Sequence, residues 1–136
     1  MDRINIARQL HKEKCNCAQA ILVAYHDVMN IEKDQAYKLA DGLGAGFGKM
    51  GGLCGAVNAM GIVISYINAG DLDHKGETKD ESAKEVRLCA EKFMTKNKYL
   101  DCIPLKAENN DNRSCNDLVA DCAMIIEEYI KERGNK

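Results

Sequence analysis

Cysteine is the residue type whose chemistry this chain most needs explained. Seven occur in 136 residues, at positions 15, 17, 54, 89, 102, 115 and 122. A thiolate can attack a disulfide or ligate a metal, whereas a buried thiol behaves as a small hydrophobe. No two cysteines stand in a CxxC spacing, so the thioredoxin-like redox motif, paired-knuckle zinc binding and CxxCH haem attachment are all absent. An odd count leaves at least one thiol outside any scheme of pairs. The histidines are scattered. His74 lies in a charged segment and reads as solvated, while His11 and His26 read as helix-surface residues. No histidine is assigned a role.

Local signals sort the thiols. Asn16 is a good N-cap for a helix opening at Cys17, and Ser114 with Asp117 three residues on resembles a capping box opening a helix at Cys115. Cys54 is expected in the first turn of a helix starting near Leu53. At such positions unpaired backbone N–H groups and the helix dipole favour an anion, and so a thiolate. Cys102 precedes Ile103-Pro104, which predicts an extended turn because proline pushes its predecessor away from helical angles. These four thiols are expected to converge at one end of a bundle. Cys89 and Cys122 fall inside apolar stripes and read as core. Cys15, two residues before Cys17, reads as an accessory or exposed thiol.

The stretch GLGAGFGKMGGLCGAVNAMG, Gly42 to Gly61, surrounds Cys54 with glycine. Within it GFGKMG fits GxGxxG, but no strand precedes it and no βαβ context follows, so dinucleotide binding is disfavoured. Lys49 is followed by Met50 rather than Ser or Thr, so it is no P-loop either. Glycine reaches positive φ and admits close approach to the backbone, so Gly42 to Gly52 is expected to form a tight loop between helices. Gly51, Gly55 and Ala59 repeat at every fourth position. The small residues Gly52, Gly55 and Ala56 then either let another helix pack closely or leave room for a cofactor or substrate beside Cys54, the thiol expected to be most exposed.

The elements that must position these thiols are helical. Ile4, Ile6 and Leu10 lie on one face of a first segment, Cys17, Ile21, Ala24 and Val28 on a second, and Ala36, Leu39 and Ala40 on a third. Val86, Cys89 and Phe93 follow, then Leu118, Cys122, Ile125 and Tyr129. Strand signals are weak, because GIVISYI continues a helical period. The expectation is an all-α fold, one domain over 1–136: a single compact bundle of five or six helices with a glycine-rich inter-helix loop. Gly70 to Ser82 and Lys106 to Arg113 read as solvated connectors.

Composition narrows the function. Nineteen basic against twenty-one acidic residues leave a formal charge of −2, with no Lys/Arg cluster interleaved with aromatics, so nucleic acid is not an expected partner. The charged N-terminus fits neither a secretory signal nor a lipid anchor. The apolar run from Leu53 to Ala69 falls short of the ~20 residues that a spanning helix needs. No membrane association and a cytoplasmic location are expected. Structural disulfides explain cysteines poorly in a reducing compartment, which raises thiol redox chemistry and metal binding. A homodimer is compatible with the small-residue helix face.

The order of cysteine elements resembles the C-GCAxxG-C-C family of redox-active proteins. CNCAQAIL resembles its first element, the glycine run with GGLCGAVNAMG its central one, and KYLDCIPLK and RSCNDLV its last two. Cys54-Gly55-Ala56 stands where the family has Gly-Cys-Ala, and Ala59 where a second glycine is usual. The resemblance implies a helical protein whose redox site uses Cys17, Cys54, Cys102 and Cys115. Related sequence occurs in a multihaem cytochrome class with an iron–sulfur centre, but this chain has no haem attachment motif.

Two functions compete. In the first, a thiol-dependent oxidoreductase exchanges disulfides with a redox partner protein or a small thiol/disulfide substrate. Cys54 is then the attacking thiolate and Cys17, Cys102 or Cys115 resolves, which requires Cα atoms within about 7 Å. In the second, an electron-transfer or sensing module holds an iron–sulfur cluster on the same four cysteines. Zinc ranks below both, because the four thiols are far apart in sequence. A bland third possibility is four partly buried thiols that share no site.

Overall fold

The computed structural model describes residues 2–107 and 113–134. Its centre is the segment CAQAILVA, whose every residue after the first is buried. Such a helix has no face for water, so it must be enclosed on all sides. It runs as α2 (Cys17–Ala24) among α1 (Arg3–Lys12), α3 (Lys33–Leu39), α4 (Gly55–Asn68) and α7 (Cys115–Gly134). α5 (Lys79–Asn97) closes over α4 and α7, and α6 (Cys102–Ala107) is a short turn before α7. Ile21, Leu22, Met60, Val63, Ile64, Phe93, Val119 and Ile126 fill the interior. Each of these large side chains contributes about 1.5–3 kcal/mol by leaving water.

The described residues hold seven α-helices and a 3-10 turn at Leu72–His74, with no strand beyond an isolated bridge between Leu53 and Asp101. The all-helical expectation therefore holds, while the count exceeds the five or six expected. The second stripe breaks early: α2 stops at Ala24, and Val28 lies in the turns beyond it. The additional element is α6, which starts at Cys102 where an extended turn was expected. Pro104 is its third residue. In a first turn the missing N–H has no intrahelical acceptor to lose, so proline is tolerated there.

Residues 70–77 are exposed, as expected of a connector, apart from the 3-10 turn, and α5 begins at Lys79 inside the predicted loop. Of the second predicted connector, Lys106 and Ala107 belong to α6, and 108–112 lie outside the described residues.

A buried carboxylate ties the end of α5 to α7. Asp121, 3% exposed, meets Lys96 Nζ at 2.9 Å and accepts from Asn97 Nδ2 at 3.1 Å and from Arg113. Three donors offset the cost of removing one charge from water. Among the described residues, no helix is long and apolar enough to cross a membrane.

Candidate functional site

Asn16 caps α2 as its side chain predicts. Its Oδ1 accepts from Gln19 N–H at 2.8 Å, and its own N–H donates to Gln19 Oε1 at 2.9 Å. The spare Asn16 amide donates to the carbonyls of Ala40 (3.0 Å) and Asp41 (3.2 Å), so one residue fixes both the start of α2 and the entry to the glycine loop. Cys17 is thereby set as the first residue of α2.

The loop itself is left-handed. Ala45, Gly46, Phe47, Gly48 and Lys49 have φ of 51°, 76°, 66°, 63° and 63° in succession. The chain closes on itself through Gly48 N–H to Gly42 O (2.9 Å), Gly51 N–H to Ala45 O (3.2 Å) and Gly52 N–H to Gly46 O (2.9 Å). Three of the five are not glycine, and each pays roughly 1–2 kcal/mol for that conformation. Gly46 meets backbone: a Cβ there would lie 2.6 Å from Gly52 N and 2.8 Å from Cys102 Cβ. The far end of the loop grips the next two thiols. Gly52 O accepts from Cys102 N–H at 2.6 Å, Gly51 O from Ile103 N–H at 3.2 Å, and Leu100 O from Cys54 N–H at 2.8 Å.

Cys54 is the N-cap of α4, just before the turn expected for it, and Gly55 is the first helical residue. A Cβ on Gly55 would press on Leu43 O at 3.1 Å and Ala18 N at 3.3 Å. This glycine therefore lets the starts of α2 and α4 touch, and Ala56 and Ala59 are buried behind it. Gly55 and Ala59, two of the three members of the four-residue repeat, are thus buried within the chain. At α7 the predicted box forms in both directions: Ser114 N–H donates to Asp117 Oδ2 (3.0 Å) and Asp117 N–H to Ser114 Oγ (3.1 Å). Cys115 is the first residue of that helix.

Cys17, Cys54, Cys102 and Cys115 all line one cavity of about 210 Å³, together with His11, Gly46, Gly55 and Lys106. Each cysteine is the N-cap or first residue of its helix, so four helix starts meet around this space. Gly52 and Ala56 do not line it; Gly52 acts by holding Cys102, and Ala56 packs in the core. Cys89 and Cys122 are core residues as read from the stripes, 2% and 0% exposed, and Cys15 lies off the cavity.

Electrostatics distinguish the thiols. The Cys17 thiol hydrogen-bonds to Cys115, which lowers the Cys115 pKa to about 6 with help from Lys106 and against the opposing cost of burial. The same bond, reinforced by burial, pushes Cys17 far above the ordinary thiol value. Burial also raises Cys54, which is only 5% exposed, and outweighs the N–H groups of Val57 and Ala56 that favour its thiolate. The expectation of an exposed, activated Cys54 is therefore corrected: glycine neighbours let other backbone close over it. Of these thiols, Cys115 is the one whose surroundings favour the thiolate.

His11 was assigned no role from the sequence, yet its Nε2 lies 3.7 Å from Cys17 Sγ. Lys106 was also missed, having been placed in a loop. A signal for His11 existed: it sits six residues before Cys17, with a turn between α1 and α2 short enough to fold one end back on the other. Among the described residues, no group of three or more His, Cys, Asp or Glu side chains is placed to hold a metal ion.

No curated protein and no solved structure matches the chain. A family model described as "Putative redox-active protein (C_GCAxxG_C_C)" matches residues 15–129. The chain belongs to that family.

Proposed function

We propose, for this member of a redox-active family, that Cys17, Cys54, Cys102 and Cys115 form one thiol–disulfide site in which Cys115 attacks and Cys17 resolves. The observation that carries the reading is that Cys17 and Cys115 line one cavity at two helix starts, where their coupling favours the thiolate at Cys115 and the protonated thiol at Cys17. The Cys115 thiolate attacks one sulfur of a substrate disulfide R–S–S–R′, forming a mixed disulfide and releasing R′S⁻, which takes the proton from Cys17. The Cys17 thiolate then attacks the Cys115 sulfur, closing the protein disulfide and releasing RS⁻. The substrate gains two electrons and the dithiol loses two.

Cys54 and Cys102 line the same cavity and take over the disulfide by a second exchange that returns Cys17 and Cys115 to thiols. Phe47, Met50 and Ile103 are exposed on the loop and helix that line it, which suits a disulfide carried on a polypeptide.

The test is to mix anaerobically reduced protein with a peptide disulfide, quench with acid and map the products by mass spectrometry, after measuring iron, acid-labile sulfide and zinc on protein purified without oxygen or chelator. A Cys17–Cys115 disulfide in metal-free protein is expected. Stoichiometric iron and sulfide, lost in Cys54→Ala, would replace this reading with a cluster held by the same four residues.

A further inference from the structure

We propose that neutral His11 donates a hydrogen bond from Nε2 to the Cys17 sulfur as that residue closes the disulfide, and that Asn116 is the positioning residue that puts the proton on Nε2. The inference rests on the thiol–disulfide reading above and adds to it a residue on α1 and a second on α7.

The tautomer follows from a chain of hydrogen bonds with one consistent direction. Arg8 Nη1 donates to Asn116 Oδ1 at 2.8 Å, which identifies that atom as the amide oxygen. The Asn116 Nδ2 group donates to Arg8 O at 3.0 Å and faces His11 Nδ1 at 3.1 Å. An amide nitrogen only donates, so His11 Nδ1 accepts, and a neutral imidazole then carries its proton on Nε2. That nitrogen is the one 3.7 Å from Cys17 Sγ. Arg8 is itself steadied by Asp117 Oδ1 at 3.3 Å, within the capping box that opens α7. Burial lowers the His11 pKa, which keeps the ring neutral near pH 7.

The arrangement matters in the second half of the exchange. While Cys115 is a thiolate, the Cys17 S–H has an acceptor. Once the Cys115 sulfur is tied in a mixed disulfide, that acceptor loses its charge, and Cys17 must itself become the anion inside a largely buried cavity. His11 Nε2–H then supplies a donor to the developing Cys17 thiolate. No proton passes through His11: the Cys17 proton leaves on the first thiolate product, and the imidazole is neutral before and after.

The test uses the full chain, reduced, with 5,5′-dithiobis(2-nitrobenzoate). Thionitrobenzoate release is followed by stopped flow, and quenched samples are mapped by mass spectrometry for the Cys115 adduct and the Cys17–Cys115 disulfide. His11→Leu should form the adduct at the wild-type rate but close the disulfide about tenfold more slowly or worse, the scale of a lost hydrogen bond to a charged group. His11→Gln, which keeps a donor, should recover part of the loss. Nitrogen-15 shifts of labelled histidine should place the His11 proton on Nε2 in the wild type and on Nδ1 in Asn116→Asp, where a carboxylate can only accept.

Closure at the wild-type rate in His11→Leu, or a wild-type proton on Nδ1, overturns the inference while leaving the exchange reading intact. Should the wild type close no Cys17–Cys115 disulfide although His11 carries its proton on Nε2, the exchange reading itself fails and this role falls with it.

Discussion

Cys17 and Cys115, the first residues of α2 and α7, line the same cavity, and the coupling of their thiols lowers the pKa of Cys115 and raises that of Cys17. The surroundings of the two thiols decide which of them ionises first. Cys115 has Lys106 nearby and is partly open; Cys17 is more enclosed. The charge therefore settles on Cys115.

Alkylation should report this directly. The rate at Cys115, followed with iodoacetamide and peptide mapping, is expected to rise with pH around a midpoint near 6 instead of the ordinary thiol value of 9. Cys17→Ala removes the largest lowering influence, so the midpoint should move up toward 9. An unchanged midpoint in that variant would show that the charge on Cys115 does not depend on Cys17.

Stability should follow pH in two phases. Between about 6 and 9 Cys115 is deprotonated when folded but protonated when unfolded, so the unfolded chain binds more protons and stability rises with pH. Above 9 the sign reverses: Cys17, Cys54 and Cys122 have raised values and stay protonated in the fold, while their unfolded counterparts ionise. Urea midpoints of reduced protein should thus climb from pH 6 to about 9 and fall beyond it. Cys115→Ala should flatten the rising arm and spare the falling one.

Gly46 is the loop position least able to accept a side chain. At φ 76°, with backbone of Gly51 and Gly52 and the Cys102 Cβ all within 2.8 Å of a Cβ, Gly46→Ala must move either the loop or Cys102. A loss of about 1–3 kcal/mol in thermal or denaturant unfolding is expected, together with changed alkylation of Cys102. Gly42→Ala, with nothing within 4 Å of its Cβ, is the control and should shift stability little.

Asp121 anchors the structure away from the thiols. Asp121→Ala strips Lys96, Arg113 and Asn97 of a common acceptor. Removing one partner of a fully buried ion pair costs about 3–5 kcal/mol, and here about 2–4 kcal/mol is expected because Lys96 is half exposed and can turn to water. Asp121→Asn keeps an acceptor for Asn97 and should lose less. Equal losses in the two variants, read from denaturant midpoints, would mean that the charge contributes more than the hydrogen bonds do.

What the sequence determined by itself was local. Helical period, the caps at Asn16 and Ser114, and the apolar stripes around Cys89 and Cys122 depend on neighbours within a few residues, and they stand in the fold as read except that the second stripe ends at Ala24, before Val28. It also marked Cys17, Cys54, Cys102 and Cys115 by their local chemistry and their order, and their convergence followed from the caps as an inference that the shared cavity then supports. Tertiary structure decided the rest. Only packing could say that Cys54 is covered, because its burial depends on how the surrounding elements close together, as the start of α2 and Leu43 do on the neighbouring Gly55. Only packing could bring His11 to Cys17 and Asn116 to His11, since α1 and α7 meet from opposite ends of the chain. Helix starts are written in short stretches of sequence; which thiol carries the charge is a property of the distances between those starts.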